Sequence, residues 1–347
     1  MNDTRLLIVT QVVDMGDPTL GFFHEWVRHC ASRYAEVHVV CLQQGIYDLP
    51  SNVFVYSLGK ETKRASKIVY AYRFLSIVVS KRDRYDSVFV HMNEEYVLLA
   101  GWLWRLMGTK VVLWRNHKQG TWKTCLAVWF ANTVCFTSPE SFTARFKKAV
   151  QMPVGIDTDR FQNLHGTRKE HSIVYVGRIS PIKHIEFLID AMAILADQGV
   201  SCNLDLFGAE PDPEYRASLQ KRIEAKKLTT VSFKGGVSPE ELVSVYNRYT
   251  ICANMTTKGS FDKTIFESIV CGAFPVVANT NIAPIVPMEY RGAVIFAEGD
   301  AQDMARVLAT VLRLSPEQRQ SCVDTMSTQI ESKHSLSVLI DRLTQLV

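Results

Sequence analysis

The sequence predicts an α/β protein of two doubly wound parallel-sheet domains facing one another across a cleft. Three observations carry this reading. Apolar, β-branched runs alternate with helical patterns along the whole chain, as expected of parallel strands covered on both faces. That rhythm stops in a polar stretch rich in Gly, Pro and Asp around 151–166, and then restarts. With 347 residues, the chain is too long for one ordinary core and fits two domains.

In the first half the predicted strands are RLLIVTQV (5–12), EVHVVCL (36–42), NVFVYSL (52–58), SVFVHM (87–92), KVVLWRN (110–116) and TVCFTS (133–138). Helical patterns run between them over Gly21–Tyr34, Lys63–Ser80 and Tyr96–Met107. The second half gives SIVYVG (172–177), NLDLFG (203–208), VSFKG (231–235), ICANM (251–255), FPVVAN (274–279) and AVIFA (293–297). SPEE (238–241) and SPEQ (315–318) each read as a Ser N-cap, a Pro at the first helical position and the closing residue of a capping box. The expected division is a first domain over 1–150, a linker over 151–166, a second domain over 167–330 and a C-terminal helix in 331–347 that returns to the first domain.

Composition is that of an ordinary globular protein, 47% hydrophobic and 21% charged. Eight cysteines are scattered without a CxxC pair or a Cys/His cluster, which argues against a zinc site and a disulfide framework and for a reducing compartment. The opening MNDTRLLIVTQVVD lacks the pattern of a signal peptide, and YVLLAGWLWRLMG is broken by Arg105 and too short to span a bilayer. A cytoplasmic protein is expected, either soluble or peripheral on the cytoplasmic face of a membrane. The net charge of +4 hides an asymmetry: residues 1–150 hold 19 Lys and Arg against 12 Asp and Glu, the remainder 20 against 23. Such a balance fits a first domain facing an anionic partner, or plain solvated basic faces. No nucleic-acid partner is expected. Segment 63–84 mixes cations with apolar and aromatic residues at helical spacing, so it suits either an anionic leaflet or a helix buried on one face.

In doubly wound sheets ligands sit outside the carboxyl ends of the strands, so residues just after strands matter most. In VYVGRISPIKHIEFLIDA, Gly177 ends a strand, Arg178 follows, Ser180-Pro181 opens a helix and Lys183 sits in its first turn. A cation there opposes the helix macrodipole unless an anion is shared, so Arg178, Lys183 and backbone N–H groups would suit a diphosphate; the alternative is a surface Arg and a surface Lys. Gly21 lies between the first strand and the first helix, where a glycine lets the backbone approach a ligand. Neither half has a GxGxxG fingerprint, which excludes the dinucleotide-dependent dehydrogenases. No carboxylate pair of glycosidase type is legible either.

These motifs, GRISPIKHIEFLIDA (177–191), VGIDTDRF (154–161), FKGGVSPEELVSVYNRYTICANM (233–255) and FESIVCGAFPVVAN (266–279), together resemble the retaining GT-B glycosyltransferases of family 4, the group 1 glycosyl transferases. The resemblance runs from the linker to about residue 280 in the family's order and spacing. It is looser in the first half, where GFFHEWVRHCA and WRNHK fall at the family's glycine loop and histidine. It implies two Rossmann-like domains, a donor site in the second and an acceptor site in the first. It also implies transfer of a sugar from a UDP- or GDP-linked donor to a glycan or lipid-linked acceptor, with no metal and no further cofactor. By the same resemblance, Arg178 and Lys183 stabilise the departing diphosphate and His117 stands near the reacting bond. Glu267 would accept the ribose hydroxyls, while Phe207, Gly208, Ala209 and the loop of Gly235, Gly236 and Val237 line the nucleotide pocket. Gly21 joins the donor contacts, and His91 and His24 are further candidates for the cleft.

KGSFDKTIFESIVCGAFPVVAN (258–279) departs from the family at one point. The usual pattern has a glutamate eight positions before the second one, and here that position is Gly259. Asp262 could supply the carboxylate from a shifted loop, the backbone of Ser260, Phe261, Asp262 and Lys263 could hold the sugar without one, or activity could be lost. Lys263, Thr264 and Ile265 complete this expected donor wall. Structurally, Thr264 and Glu267 form a T-x-x-E capping box, which would explain the glutamate without any ligand. Two other readings stand beside transfer: a catalytically impaired relative that binds a nucleotide sugar or a partner, and a nucleotide-sugar epimerase.

Overall fold

The computed structural model describes residues 2–17, 19–258 and 261–347. It divides into two compact units, one of residues 1–155 with 336–347 and one of residues 156–335.

The first unit holds β1 (Asn2–Val13), α1 (Phe22–Ala31), β2 (Tyr34–Gln44), β3 (Val53–Ser57), α2 (Lys67–Ser80), β4 (Ser87–His91), α3 (Glu94–Leu106), β5 (Lys110–Trp114), α4 (Trp122–Phe130), β6 (Thr133–Phe136) and β7 (Ala149–Gln151). All seven strands are parallel, in the order β3-β2-β1-β4-β5-β6-β7. The period of two along β1 builds two cores: Leu6 and Ile8 face one layer, Leu7 and Val9 the other. On the first side lie α1 residues such as Phe23, Trp26 and Val27, joined by Leu336, Leu339, Ile340 and Leu343 from the end of the chain. On the second lie Phe74 and Val78 of α2, Val97, Ala100 and Trp104 of α3, and Ala127 and Val128 of α4.

The second unit runs β8 (Lys169–Val176), α5 (Ile185–Asp197), β9 (Asn203–Phe207), α6 (Pro213–Ala225), β10 (Val231–Gly235), α7 (Pro239–Arg248), β11 (Tyr249–Asn254), α8 (Lys263–Val270), β12 (Phe274–Val277), α9 (Arg291–Val294), α10 (Ala301–Arg313) and α11 (Pro316–His334). Its five parallel strands are ordered β10-β9-β8-β11-β12. After α11 the chain re-enters the first unit as α12 (Leu336–Leu346). Both expected capping boxes form: Ser238 with Glu241 starts α7, and Ser315 with Gln318 starts α11, each behind a Pro at the first turn.

Four local readings are corrected. AVIFA (293–297) is no strand: Ala293 and Val294 close the helical turn α9, and Ile295 makes one isolated bridge to Val277. Ser180-Pro181 opens a 3-10 turn over Pro181–Lys183, and α5 begins only at Ile185, after His184 in a left-handed conformation (φ 53°). The cap of α8 is Asp262, whose side chain accepts from the Thr264 N–H, so Thr264 lies inside the helix and makes no capping box with Glu267. The strand β7 and the helix α4 are additional to the sequence reading.

Candidate active site

The topology of the second unit makes one crevice. From the central β8 the chain moves outward through β9 to β10, then crosses back to β11 on the other side of β8. The loops leaving β8 and β11 therefore diverge at the carboxyl edge, where open α/β sheets bind ligands.

On one side of that point three strand ends are laced together by their backbones. The Gly177 N–H donates to the Phe207 carbonyl at 3.0 Å, Gly208 to Gly235 at 2.8 Å, and Ile179 to Ala209 at 2.9 Å. A Cβ on Gly208 would stand 1.8 Å from the Gly177 carbonyl oxygen, so only glycine allows this approach. Arg178 is exposed on the loop after β8, and Tyr175 fixes that loop by donating its hydroxyl to the Arg178 carbonyl at 3.1 Å. Gly236 and Val237 continue the loop after β10 into the cap of α7.

On the other side a polar network closes over the crevice. Lys183 donates to Asp262 Oδ2 at 2.5 Å and to Thr256 Oγ1 at 3.3 Å, and the Thr256 hydroxyl donates to the same Oδ2 at 3.0 Å. Asp262 Oδ1 accepts from the Thr264 hydroxyl at 2.9 Å, and Asn254 donates to that hydroxyl at 3.1 Å. Burial penalises charge on Asp262, but Lys183 and the surrounding hydrogen bonds outweigh it and hold the carboxyl below its ordinary range. The sequence reading does not single out Asn254 and Thr256, although Asn254 ends β11 and Thr256 lies two residues beyond it, the place where a ligand contact is expected.

Glu267 lies one turn beyond Lys263 on α8, partly buried. Burial pushes its carboxyl up to about 7, against the pull of Lys263, and burial likewise pushes the Lys263 ammonium down to about 8. Ile265 is buried in the core and its N–H bonds the Asp262 carbonyl, so its side chain offers nothing to a ligand. Phe261 stands edge-on to Phe266, with ring centres 5.5 Å apart. The expected contact at Ser260, like the departure at Gly259, lies outside the described residues.

The remaining candidates belong to the first unit. His117 is exposed in the loop after β5, its Nδ1 3.1 Å from the Gln119 N–H. Gly21 caps α1, where a Cβ would stand 2.6 Å from the Asp17 carbonyl oxygen. His91 and His24 are core groups. His91 stacks on Phe23 with ring centres 4.2 Å apart, and His24 bridges Glu25 and the Asp48 N–H. Among the described residues, no group of three or more His, Cys, Asp or Glu side chains is arranged to hold a metal ion.

Two doubly wound parallel sheets in one chain, with the polar crevice at the switch point of the second, define the GT-B class. Solved structures align over nearly the whole chain. Sucrose-phosphate synthase from Thermosynechococcus elongatus superposes with a TM-score of 0.76 at 16% identity, covering 99% of this chain and 98% of that one. Anabaena HepE in complex with UDP and glucose gives 0.73 at 15% identity, with the same coverage. The model of the glycosyl transferases group 1 family matches residues 156–326, which lie within the second unit. Among named relatives, a Xenopus laevis GDP-Man:Man(3)GlcNAc(2)-PP-Dol alpha-1,2-mannosyltransferase is 29% identical over 170 residues, 46% of this chain and 35% of the relative. A Mycobacterium tuberculosis GDP-mannose-dependent alpha-(1-6)-phosphatidylinositol dimannoside mannosyltransferase is 25% identical over 184 residues, 50% of this chain and 46% of the relative. The chain thus matches less than half the length of these relatives.

Proposed function

We propose that this protein is a retaining, metal-independent glycosyltransferase that moves a sugar from a nucleoside-diphosphate donor to a glycan or lipid-linked acceptor. The second unit is the donor domain in this reading and the first is the acceptor domain. The observation that carries it is Lys183 held at the β8/β11 switch point, beside the Gly177–Gly208–Gly235 lacing and bonded to Asp262, the N-cap of the helix α8 that carries Glu267. The lacing brings bare backbone to the crevice, and Lys183 and Arg178 supply positive charge for the diphosphate. Glu267 accepts the ribose hydroxyls once ionised. During transfer the bond from the anomeric carbon to phosphate oxygen breaks, and the acceptor hydroxyl oxygen bonds to that carbon on the same face. The acceptor proton leaves with the phosphate, so no protein nucleophile is required.

GDP-linked mannose is the donor suggested by the named relatives, and the complexed fold neighbour keeps UDP sugars in view. The test is incubation with GDP- and UDP-sugars and a panel of glycan and glycolipid acceptors, with and without EDTA. Nucleotide release that needs acceptor and survives EDTA, giving a product of the donor's anomeric configuration, supports the reading. Inverted product or EDTA-sensitive transfer would overturn its details. Gly259 in place of the first glutamate favours one second reading, a relative that binds the nucleotide sugar without turning it over. Binding without release under all acceptors would select it.

A further inference from the structure

The layer formed by α2, α3 and α4 has a second apolar face. Their inner sides bury Phe74, Val97, Trp104 and Ala127 against the sheet. Their outer sides carry Ile68, Tyr72 and Val79 on α2, exposed by 81%, 73% and 52%. Those positions, at i, i+4 and i+11, fall on one helical stripe. Helical spacing of three or four recurs as Trp102 and Leu106 on α3, and as Trp122, Leu126 and Trp129 on α4. Of the eighteen large apolar side chains exposed among the described residues, ten lie on these three helices or their caps, and three belong to the second unit. Three of the chain's six tryptophans stand in this outer face, which a globular surface without a partner has no reason to concentrate.

The charge around the face is one-sided. Residues 60–148 hold 16 Lys and Arg against 6 Asp and Glu, and neither α2 nor α4 contains an acidic residue. The Arg105 guanidinium lies over the Trp129 ring at 4.5 Å and the Lys123 ammonium over Trp122 at 5.9 Å, so cations and indoles share one surface. Tryptophan and tyrosine prefer the headgroup level of a bilayer, with flanking Lys and Arg reaching the phosphates. A second copy of this surface would instead bring like charges together. No described helix is long and apolar enough to cross a membrane, so the chemistry is that of a surface contact.

We infer that the outer face of α2, α3 and α4 docks on an anionic phospholipid bilayer, its tryptophans entering the headgroup layer and its cations pairing with lipid phosphates. The contact needs neither donor nor acceptor, so its failure and that of the transfer reading are separable. The test is co-sedimentation of the full chain with phosphatidylcholine vesicles, with and without about 30% phosphatidylglycerol. Binding is expected only with the anionic lipid, with a blue shift of tryptophan emission and release at about 0.5 M salt. Trp102→Ser/Trp122→Ser/Trp129→Ser, which changes only exposed side chains, should keep the wild-type melting temperature and lose binding by about tenfold or more. Lys63→Ala/Arg64→Ala/Lys67→Ala should weaken it by a similar factor and flatten the salt dependence. No binding to anionic vesicles, equal binding to neutral ones, or unchanged binding of both variants overturns the inference. So does a wild-type dimer in sedimentation velocity that the tryptophan variant abolishes, because the face would then serve a second copy.

Discussion

The two units carry the same topology and fill it oppositely. Each sheet reverses its strand order beside its first strand, between β1 and β4 in one unit and between β8 and β11 in the other. In the second unit the reversal point holds Lys183, Asp262, Thr256 and Asn254 in one hydrogen-bonded set. In the first, the end of β4 is plugged by His91 lying flat on Phe23, with the Trp26 ring centre 5.6 Å away. Parallel winding therefore creates the crevice, but the side chains decide whether it is lined by polar groups or closes as core.

The hardest test of that contrast is Lys183→Ala. It should lower transfer by about 10²–10³-fold, the usual cost of one preorganised electrostatic group. His91→Leu, at the matching point of the first unit, should leave nucleotide affinity unchanged in calorimetry. Equal losses of nucleotide affinity in both variants would break the comparison. Next in size is Gly208→Ala. Its new Cβ meets the Gly177 carbonyl, and the displaced loops should cost about 3 kcal/mol of stability in urea titration along with donor binding.

A smaller effect follows from Glu267. Its carboxyl sits near 7, so it is largely protonated at pH 6 and largely ionised at pH 8. Ribose hydroxyls donate to the ionised form, so nucleotide affinity should rise with pH across that interval, by up to about tenfold in calorimetry. Glu267→Gln should flatten the profile. Folding alone has the opposite sign. Between the ordinary value of 4.5 and about 7 the folded chain keeps a proton that the unfolded chain has released, so this group's contribution to stability falls as pH rises. The smallest shift is expected for Asp262→Asn, which keeps an amide cap on α8 but releases Lys183. Nucleoside diphosphate should bind a few-fold more tightly, by about 1 kcal/mol or less, because a carboxylate beside the phosphates is gone. If Asp262 instead holds the donor sugar, kcat falls while diphosphate affinity stays level.

Much of this was legible in the chain. Runs such as LLIV in β1 and VFV in β4 are continuous and β-branched because both faces of a parallel strand are buried, and they announce themselves without alternation. The motif residues at 177–183 directly follow β8, and those at 262–267 open α8 in the segment after β11. Helix α4 stayed hidden because WKTCLAVWF is apolar on its outer face as well as its inner one, which erases the helical period. AVIFA misled in the reverse direction, since a short apolar run reads alike as buried strand and buried helical turn. The Lys183–Asp262 pair spans 79 positions, and no local pattern announces a partner that far away. Local propensity also chose between two plausible caps: Asp262 won over Thr264, in keeping with the preference for aspartate at the N-cap.

The return of the chain through α12 has a consequence for biosynthesis. Leu336, Leu339, Ile340 and Leu343 fill the same core as Trp26 and Phe23 of α1, so that face of the first sheet is completed only when they arrive. The second unit needs only residues 156–335 and can close earlier. Of the two units, the one that leaves the ribosome earlier is therefore finished later, and until then its unfilled core is exposed apolar surface of the kind that invites misassembly.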